Sequence, residues 1–268
     1  MDMNFRDLID DVIRIAQIAG DKILDIYKKA DDFEVEKKAD NSPVSIADKA
    51  SNSIICSELE RLPLKFPILS EENAIIPFSE RSKYDYFWLV DPLDGTKEFI
   101  KKNDEFTVNI ALIHAGKTVM GVIQVPVTGE IFFATDGDGA FERKDGEDIR
   151  LAANVFSAYD EKLRFGVSRS HLQEDTKQYI SSFENPVVVS VGSSLKFVEI
   201  AKGNMEIYPR FGPCMEWDTA AGHCILVEAG GQVVSVETQK ALLYNKKNLV
   251  NPFFIAFGKT DQTDIFYD

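Results

Sequence analysis

Two carboxylates and a hydroxyl lie within one short segment, Asp91-Pro92-Leu93-Asp94-Gly95-Thr96. The apolar and aromatic residues 84–90 directly before it predict a buried strand, so we expect the acids on a tight turn where that strand ends. Two carboxylates and a free backbone carbonyl form the kind of oxygen set that Mg²⁺ prefers. Because Mg²⁺ in proteins is commonly bound together with phosphate, the segment makes phosphate chemistry the first hypothesis.

A simple surface turn is the alternative interpretation, since an isolated Asp-Gly pair after a strand usually forms one. Further acids in the chain argue against it. Glu71 and Glu72 follow another apolar stretch, residues 66–69, and Asp218 follows Trp217 far downstream. Several acids at the ends of predicted elements favour a metal site.

The N-terminal half is predicted to consist of helices and a meander. Apolar residues recur at helical spacing over 5–26 and again over 47–59, with a polar loop at 37–43 between them. Strands are predicted at 108–113, 118–125, 130–135 and 140–143. Glycine-containing turns separate these strands, so they should form an antiparallel meander.

The pattern changes after residue 151, where predicted strands and helices alternate. Strands are expected at 163–167, 187–191, 206–208, 232–236 and 253–257, and helices at 174–182, 195–201 and 218–229. Such alternation predicts sheets covered on both faces. We therefore predict an α+β protein with halves at 1–150 and 151–268 that form a single catalytic unit, with the acids where the halves join.

Composition and charge limit the possible functions. The chain has 268 residues, of which 44% are hydrophobic and 28% charged, as is ordinary for a soluble enzyme. Its formal net charge of −14 argues against a nucleic-acid polymer as partner. An anionic phosphate ester would therefore need bound metals and a few local cations.

The sequence also bears on the cellular location. The N-terminus does not resemble a secretory signal, and no apolar run could span a bilayer, so a cytoplasmic protein is expected. Weak peripheral association with a membrane stays open. Cys56, Cys214 and Cys224 form no CxxC pair and are interpreted as reduced, structural thiols.

The acid motifs together resemble the signature of the inositol monophosphatase superfamily, Mg²⁺-dependent and lithium-sensitive phosphatases. The motifs are Glu71-Glu72, the segment 91–96 and the segment 217–222, in this order across nearly the whole chain. The resemblance implies a layered αβαβα sandwich.

Segments between these motifs are similar to the CysQ-type 3'(2'),5'-bisphosphate nucleotidases. They are residues 39–44 with Asp48, and residues 168–171, 192–197 and 208–213. The resemblance implies hydrolysis of the 3'-phosphate of adenosine 3',5'-bisphosphate, a by-product of sulfate assimilation, to AMP and phosphate. A bisphosphate carries a second phosphate that the metals do not reach, so extra cations make physical sense.

The resemblance also implies a set of metal ligands. One Mg²⁺ would be held by Glu71, Asp91 and the carbonyl of Leu93, and a second by Asp91, Asp94 and Asp218. Two such ions can clamp the phosphate that is cleaved. A third ion near Glu71 is left open.

Roles in the reaction follow from the same resemblance. Glu71 would orient or deprotonate the attacking water, aided by Thr96 hydrogen-bonded to Asp48. The backbone N–H groups of Gly95 and Thr96 would face the phosphate oxygens. Asp218 would contact the substrate as well as a metal.

The nucleotide contacts are expected further along the chain. Ser193, Lys196 and Arg210 match positions that hold the second phosphate and the ribose, and His171 matches a position near the nucleoside. For Lys196 and Arg210 an ordinary solvated cation is the alternative. For His171 it is a histidine satisfied by local hydrogen bonds.

Other functions remain in competition with the nucleotidase. An inositol monophosphatase or a sugar phosphatase would use the same metals with a different leaving group. A nucleotide- or metal-sensing binding protein would keep the fold without the reaction. Monomer and homodimer are both open.

Overall fold

The computed structural model describes residues 5–29, 42–169 and 173–261. Its helices are α1 (Arg6–Lys29), α2 (Pro43–Leu59), α3 (Phe78–Arg81), α4 (Thr96–Lys101), α5 (Glu174–Ser181), α6 (Leu195–Ala201) and α7 (Ala220–Glu228). Its strands are β1 (Ile68–Ser70), β2 (Tyr86–Asp94), β3 (Thr107–His114), β4 (Lys117–Gln124), β5 (Ile131–Thr135), β6 (Gly139–Lys144), β7 (Glu147–Arg150), β8 (Arg164–Val167), β9 (Val187–Ser190), β10 (Ile207–Arg210), β11 (Gln232–Ser235) and β12 (Phe254–Phe257).

The strands form two sheets. The first runs in chain order from β1 to β7, antiparallel throughout except that β1 is parallel to β2. The second has the order β11-β12-β10-β8-β9, with β10, β8 and β9 parallel and β12 antiparallel to both of its neighbours. The predicted meander and the later alternation are both confirmed.

Alternating side chains of β2 show how the first sheet is covered on two faces. Trp88 and Val90 point into a core shared with α1 and α2, whereas Phe87 and Leu89 point into a core shared with α6 and α7. Because successive strand residues face opposite sides, one fully apolar strand serves both cores.

The second sheet completes the layers. Helices α6 and α7 pack between the two sheets, since α7 contacts β3 to β6 as well as β11, and α6 contacts β10. On the outer face of the second sheet, Ile180 of α5 packs in a core with Phe165 and Ile207. The layer order is therefore αβαβα, and the expected α+β sandwich is confirmed.

The segment 91–96 differs from the predicted turn. Asp91 to Asp94 belong to β2, and a bulge places Pro92 and Leu93 opposite one residue of β3, because Asp91 pairs with Asn109 and Asp94 with Thr107. The bulge tolerates Pro92, which lacks a backbone donor. The acids therefore lie on a strand that bends, and the chain turns only at Gly95.

The two sheets are separated in the chain between Arg150 and Arg164, close to the predicted boundary at 151. That the halves act as a single catalytic unit stays a prediction. Strand β7 and the short helices α3 and α4 were not predicted. None of the helices among the described residues has the length and hydropathy of a membrane span.

Candidate active site

Three carboxylates meet where the first sheet approaches α7. Oxygens of Glu71, Asp91 and Asp218 all lie within 4.8 Å of one another. Glu71 follows β1, and its backbone N–H donates to the carbonyl of Val90 at 3.2 Å, which places it beside Asp91. Asp218 precedes α7, and its Oδ2 accepts the backbone N–H of Met215 at 2.9 Å. Residues from both predicted halves thus form one acidic group.

The acids of this group oppose one another's ionisation. Burial and then the charges of Asp94 and Glu71 raise the pKa of Asp91 well above its usual range, and Asp91 is only 2% exposed. Burial and Asp94 likewise raise the pKa of Asp218 to about 7. Partial desolvation and Asp94 raise the pKa of Glu71, which borders solvent. A divalent cation would relieve this repulsion, so an all-carboxylate group of this kind fits a divalent metal ion that prefers oxygen ligands.

Asp94 lies beside the acidic group and is not a member of it among the described residues. Its Oδ2 is 3.5 Å from Nδ2 of Asn109, and its backbone carbonyl accepts the hydroxyl of Ser193 at 2.8 Å. Burial raises the pKa of Asp94, and the ammonium of Lys196 opposes that rise. Leu93 donates its backbone N–H to Oδ1 of Asp91 at 3.2 Å. Metal ligation by Asp94 and by the Leu93 carbonyl stays a prediction.

Gly95 joins β2 to α4 and has a left-handed conformation, with φ at 94°. A Cβ there would lie 2.9 Å from Oγ of Ser193 and 3.0 Å from the carbonyl of Glu105, so only glycine fits this close approach. Thr96 begins α4 with an exposed side chain.

Asp48, on α2, is 8% exposed, and its Oδ1 is buried without a hydrogen-bond partner. Burial and the charges of Glu72 and Glu71 raise its pKa to about 8. Among the described residues, no hydrogen bond joins Thr96 to Asp48, so that expected bond is not formed. The Asp48 carboxyl instead lies near Glu72.

Lys196 and Arg210 line the same cleft as Asp94 and Asp218. Lys196 is 3% exposed, and its Nζ donates to the carbonyls of Ser193 at 2.5 Å and Val191 at 3.1 Å. Burial lowers the pKa of Lys196 to about 8, although Asp94 opposes that change. An ordinary solvated cation is therefore the wrong interpretation for Lys196.

Arg210 is held by uncharged oxygens. Its Nη1 donates to Oγ of Ser168 at 2.8 Å and its Nη2 to the carbonyl of Pro213 at 2.7 Å, while Nε is buried without a partner. Neither Lys196 nor Arg210 forms an ion pair with a carboxylate in the described part of the chain. Both cations therefore keep their positive charge for an anion in the cleft.

A hydroxyl network supports this region. Oγ of Ser193 lies 3.3 Å from the hydroxyl of Thr107, which lies 2.9 Å from Oγ of Ser194. Ser194 and Thr107 both bond Oδ1 of Asn109, at 2.8 and 3.0 Å. Sequence reasoning missed Thr107, Asn109 and Ser194. Thr107 and Asn109, two polar residues at alternate positions of an otherwise apolar strand, were the available signal.

One cleft brings acids and cations together. Its lining includes the acids Asp94, Glu98 and Asp218 and the cations Lys97, Arg169, Lys196 and Arg210. Arg210 also borders a second cavity, lined by Val167, Ser168, Gln173, Thr176, Pro209, Phe211, Gly212 and Pro213. His171 lies outside the described residues.

An αβαβα sandwich with a carboxylate group and several cations around one cleft suits the hydrolysis of a phosphate ester, the chemistry of a phosphatase. Comparison with known proteins agrees with this class. The model of the inositol monophosphatase family matches residues 6–259, and the chain belongs to this family.

Curated relatives and solved structures are similar over nearly the whole length. The 3'(2'),5'-bisphosphate nucleotidase CysQ of Escherichia coli K12 is 40% identical over 247 residues, which cover 92% of this chain and 98% of that protein. The crystal structure of CysQ from Bacteroides thetaiotaomicron, a member of the inositol monophosphatase family, has a TM-score of 0.83 at 41% identity, covering 95% of this chain and 98% of that one. An inositol monophosphatase from Zymomonas mobilis, 22% identical, shares the fold with a TM-score of 0.80, covering 99% of this chain and 98% of that one.

Proposed function

We propose that this chain is a Mg²⁺-dependent 3'(2'),5'-bisphosphate nucleotidase that hydrolyses the 3'-phosphate of adenosine 3',5'-bisphosphate to AMP and phosphate. The observation that carries the proposal is the pairing of a carboxylate group with two cations, Lys196 and Arg210, that lack a carboxylate partner among the described residues. A substrate with two phosphates would use both the carboxylate group and the two cations, whereas an inositol monophosphate would use the carboxylate group alone. The nucleotidase relatives support the same substrate class.

The metal side of the site would be formed by Glu71, Asp91 and Asp218, with Asp94 and the Leu93 carbonyl as further ligands. Two Mg²⁺ ions are expected there. When bound, Mg²⁺ lowers the pKa of water and neutralises charge on the phosphate.

The protein groups around the metals would orient the water and the phosphate. Glu71 borders solvent and would accept a proton from the attacking water. Asp48 would support it from α2, and Thr96 from the start of α4. The backbone N–H groups of Gly95 and Thr96 would donate to phosphate oxygens at the point where the chain leaves β2.

The second phosphate would be bound by Ser193, Lys196 and Arg210. A pKa of about 8 leaves Lys196 mostly protonated at neutral pH, so it contributes a positive charge where burial strengthens the attraction. The cavity next to Arg210 would then receive the nucleoside, with Phe211 as an aromatic wall.

A substrate panel tests this proposal. With purified protein and Mg²⁺, we expect kcat/KM for adenosine 3',5'-bisphosphate to exceed that for inositol 1-phosphate by about 100-fold or more, because a binding site with buried charged groups rejects a substrate that leaves them unpaired. A preference for inositol 1-phosphate would replace the nucleotidase by an inositol monophosphatase. Nucleotide binding without any hydrolysis would instead favour the sensing protein.

A further inference from the structure

One carboxylate, that of Glu105, joins three loops at the rim of the cleft. Its Oε2 and Oε1 accept Nε and Nη2 of Arg169, each at 2.5 Å. The backbone N–H of Gly192 donates to the same Oε2 at 2.7 Å. Glu105 precedes β3, Arg169 follows β8, and Gly192 lies between β9 and α6. This carboxylate therefore fixes Arg169 beside the loop that carries Ser193.

The edge of the Arg169 guanidinium that Glu105 binds determines which of its N–H donors remain available to a ligand. A guanidinium has two donor edges, one formed by Nε and Nη2 and one formed by Nη1 and Nη2. Glu105 occupies the first edge. Among the described residues, Nη1 of Arg169 makes no hydrogen bond. The second edge is thus available to an anion, and Arg169 lines the cleft with Lys196 and Arg210.

A second arginine–glutamate pair in the same half of the protein shows the purely structural version of this arrangement. Arg164 also binds Glu206 through Nε, at 3.0 Å, and through Nη2. Its Nη2, however, donates as well to the carbonyl of Gly203 at 2.9 Å, so its outer edge is already bound to protein. Arg164 is not among the residues that line the cleft. The outer edge of Arg164 therefore faces a backbone carbonyl, whereas the outer edge of Arg169 faces the cleft.

We propose that Arg169 is a further binding residue for the phosphate that is not cleaved, and that Glu105 is the residue that positions it. This inference rests on the proposed function and adds a contact to it. A phosphate group accepts two parallel hydrogen bonds from one guanidinium edge, which a lysine cannot supply. Because Glu105, itself held by the N–H of Gly192, fixes the guanidinium before the ligand arrives, little side-chain entropy is lost on binding.

Steady-state kinetics with two substrates test the contact. Adenosine 3',5'-bisphosphate and adenosine 3'-monophosphate share the nucleoside and the 3'-ester bond that is cleaved, and they differ only in the second phosphate. For Arg169→Gln we expect KM for the bisphosphate to rise about 10- to 100-fold, the effect of losing a charged hydrogen-bonded contact. Its kcat should stay within about twofold, because the contact is the same in the ground and transition states. KM for the monophosphate should not change.

Three further variants, of Glu105, Arg169 and the control residue Arg164, complete the experiment. Glu105→Gln should shift the same KM in the same direction by a smaller factor, because Arg169 stays in place but is no longer fixed by a charge. Arg169→Lys keeps the charge without the two-bond edge and should restore the bisphosphate KM only in part. Arg164→Gln, which removes the matched structural pair, should leave KM unchanged for both substrates. Melting temperatures show whether each variant is folded.

Several outcomes would overturn the inference. An equal KM rise for both substrates in Arg169→Gln would indicate a general structural effect, and so would a fall in kcat alone. Unchanged KM for the bisphosphate would remove Arg169 from the site while leaving the nucleotidase proposal intact.

Calorimetric titration with AMP, which carries only the 5'-phosphate, separates this inference from the proposed function. Weaker AMP binding by Arg169→Gln than by wild type would support the contact whichever phosphate ester the wild type hydrolyses best. Equal AMP affinity for the two proteins, or no AMP binding by the wild type, would contradict it. A failure of the proposed function would appear separately, as a wild-type preference for inositol 1-phosphate.

Discussion

Nζ of Lys246 lies 2.6 Å from Oε1 of Glu216, a residue whose side chain is completely buried. The same carboxylate accepts the backbone N–H groups of Asn245 at 2.6 Å and of Lys246 at 3.0 Å. Glu216 stands two residues before Asp218 in the chain. The ion pair therefore fixes the segment that presents one acid of the carboxylate group formed by Glu71, Asp91 and Asp218.

The same network extends to the segment that carries Glu71. Arg81 of α3 is 2% exposed, its Nη1 donates to Oδ1 of Asn245 at 2.8 Å, and its own carbonyl accepts Nδ2 of Asn245 at 2.7 Å. Helix α3 follows the loop after Glu71. Asn245 thus links the neighbourhoods of two acids that are far apart in sequence.

Lys246→Met should destabilise the protein because it leaves a buried carboxylate with backbone donors only. Removing one partner of a buried ion pair costs about 3 kcal/mol or more, and we expect a loss near that value in the free energy of unfolding. Denaturant unfolding measures it. Lys177→Met removes the exposed pair of Lys177 with Glu174 and should cost less than about 1 kcal/mol. Equal small losses in both variants would show that the buried pair does not hold the segment.

Gly95→Ala should impair both stability and turnover. The added Cβ would press on Ser193 and on the backbone of Glu105 in addition to the strain of a φ of 94°. We expect kcat/KM to fall about 10-fold or more, since small displacements at a reacting centre are costly. Circular dichroism and steady-state kinetics provide the two readouts.

Gly129→Ala is the matched control for this substitution. Gly129 also has a positive φ, of 75°, but a Cβ there would meet no atom within 4 Å. It should lose about 1 kcal/mol of stability from backbone strain alone and keep full activity. If both glycine variants behaved alike, close packing at Gly95 would not matter to the site.

Elements with a regular apolar pattern were predictable from the sequence. The long helix α1, the meander strands and α6 follow the local apolar periodicity, and the structure has these elements where the periodicity predicts them. The strand β2 was predicted too short, because Asp91 and Pro92 normally mark the end of a strand. The bulge opposite β3 overrides that local signal, and it depends on pairing with a strand that is distant in sequence.

In the candidate site, too, some residues were predictable from the local sequence, whereas contacts between distant segments were not. The acids Glu71, Asp91 and Asp218 could be singled out because each stands beside an apolar segment or within a motif. The contacts that hold them could not, since Arg81 and Asn245 are separated by most of the chain and look like ordinary surface residues in the sequence. The hydrogen bond expected between Thr96 and Asp48 is absent among the described residues for a related reason, because the neighbours of a side chain depend on how the elements pack.

Histidine 223 should make stability depend on pH. It is buried on α7 with Nδ1 2.8 Å from the hydroxyl of Tyr244, and burial lowers its pKa from 6.5 to about 4. The unfolded chain therefore binds this proton more readily than the folded protein does. The contribution of His223 is fully present above pH 6.5 and is lost as the pH falls to 4, by about 3 kcal/mol in total.

Comparison of pH profiles isolates this effect from the acids of the site. Unfolding free energies of wild type and His223→Gln, measured from pH 7 to pH 4 at constant ionic strength, should differ in slope, with the variant less sensitive to acid. His114→Gln serves as the control for removing a surface histidine. Parallel profiles for wild type and His223→Gln would show that His223 takes up its proton in the folded state.

Substitutions of Asp91 and Asp94 determine which acids bind the metal. Asp91 belongs to the group whose oxygens lie within 4.8 Å, whereas Asp94 stands beside it among Asn109 and Ser193. We expect Asp91→Asn and Asp94→Asn each to lower kcat about 100-fold or more, because a lost ligand charge weakens the metal and its alignment with the phosphate. Asp136→Asn, on the surface, should leave kcat unchanged.

Metal binding should be measured without turnover as well. The wild type, stripped with EDTA, should gain melting temperature on addition of Mg²⁺, because a ligand that binds only the folded state stabilises it. Asp91→Asn should lose this gain, and Asp94→Asn should require a higher Mg²⁺ concentration for it. Wild-type kcat and wild-type Mg²⁺ dependence in Asp94→Asn would remove Asp94 from the ligand set. Glu71, Asp91 and Asp218, which the fold brings together without it, would then have to bind the metal alone.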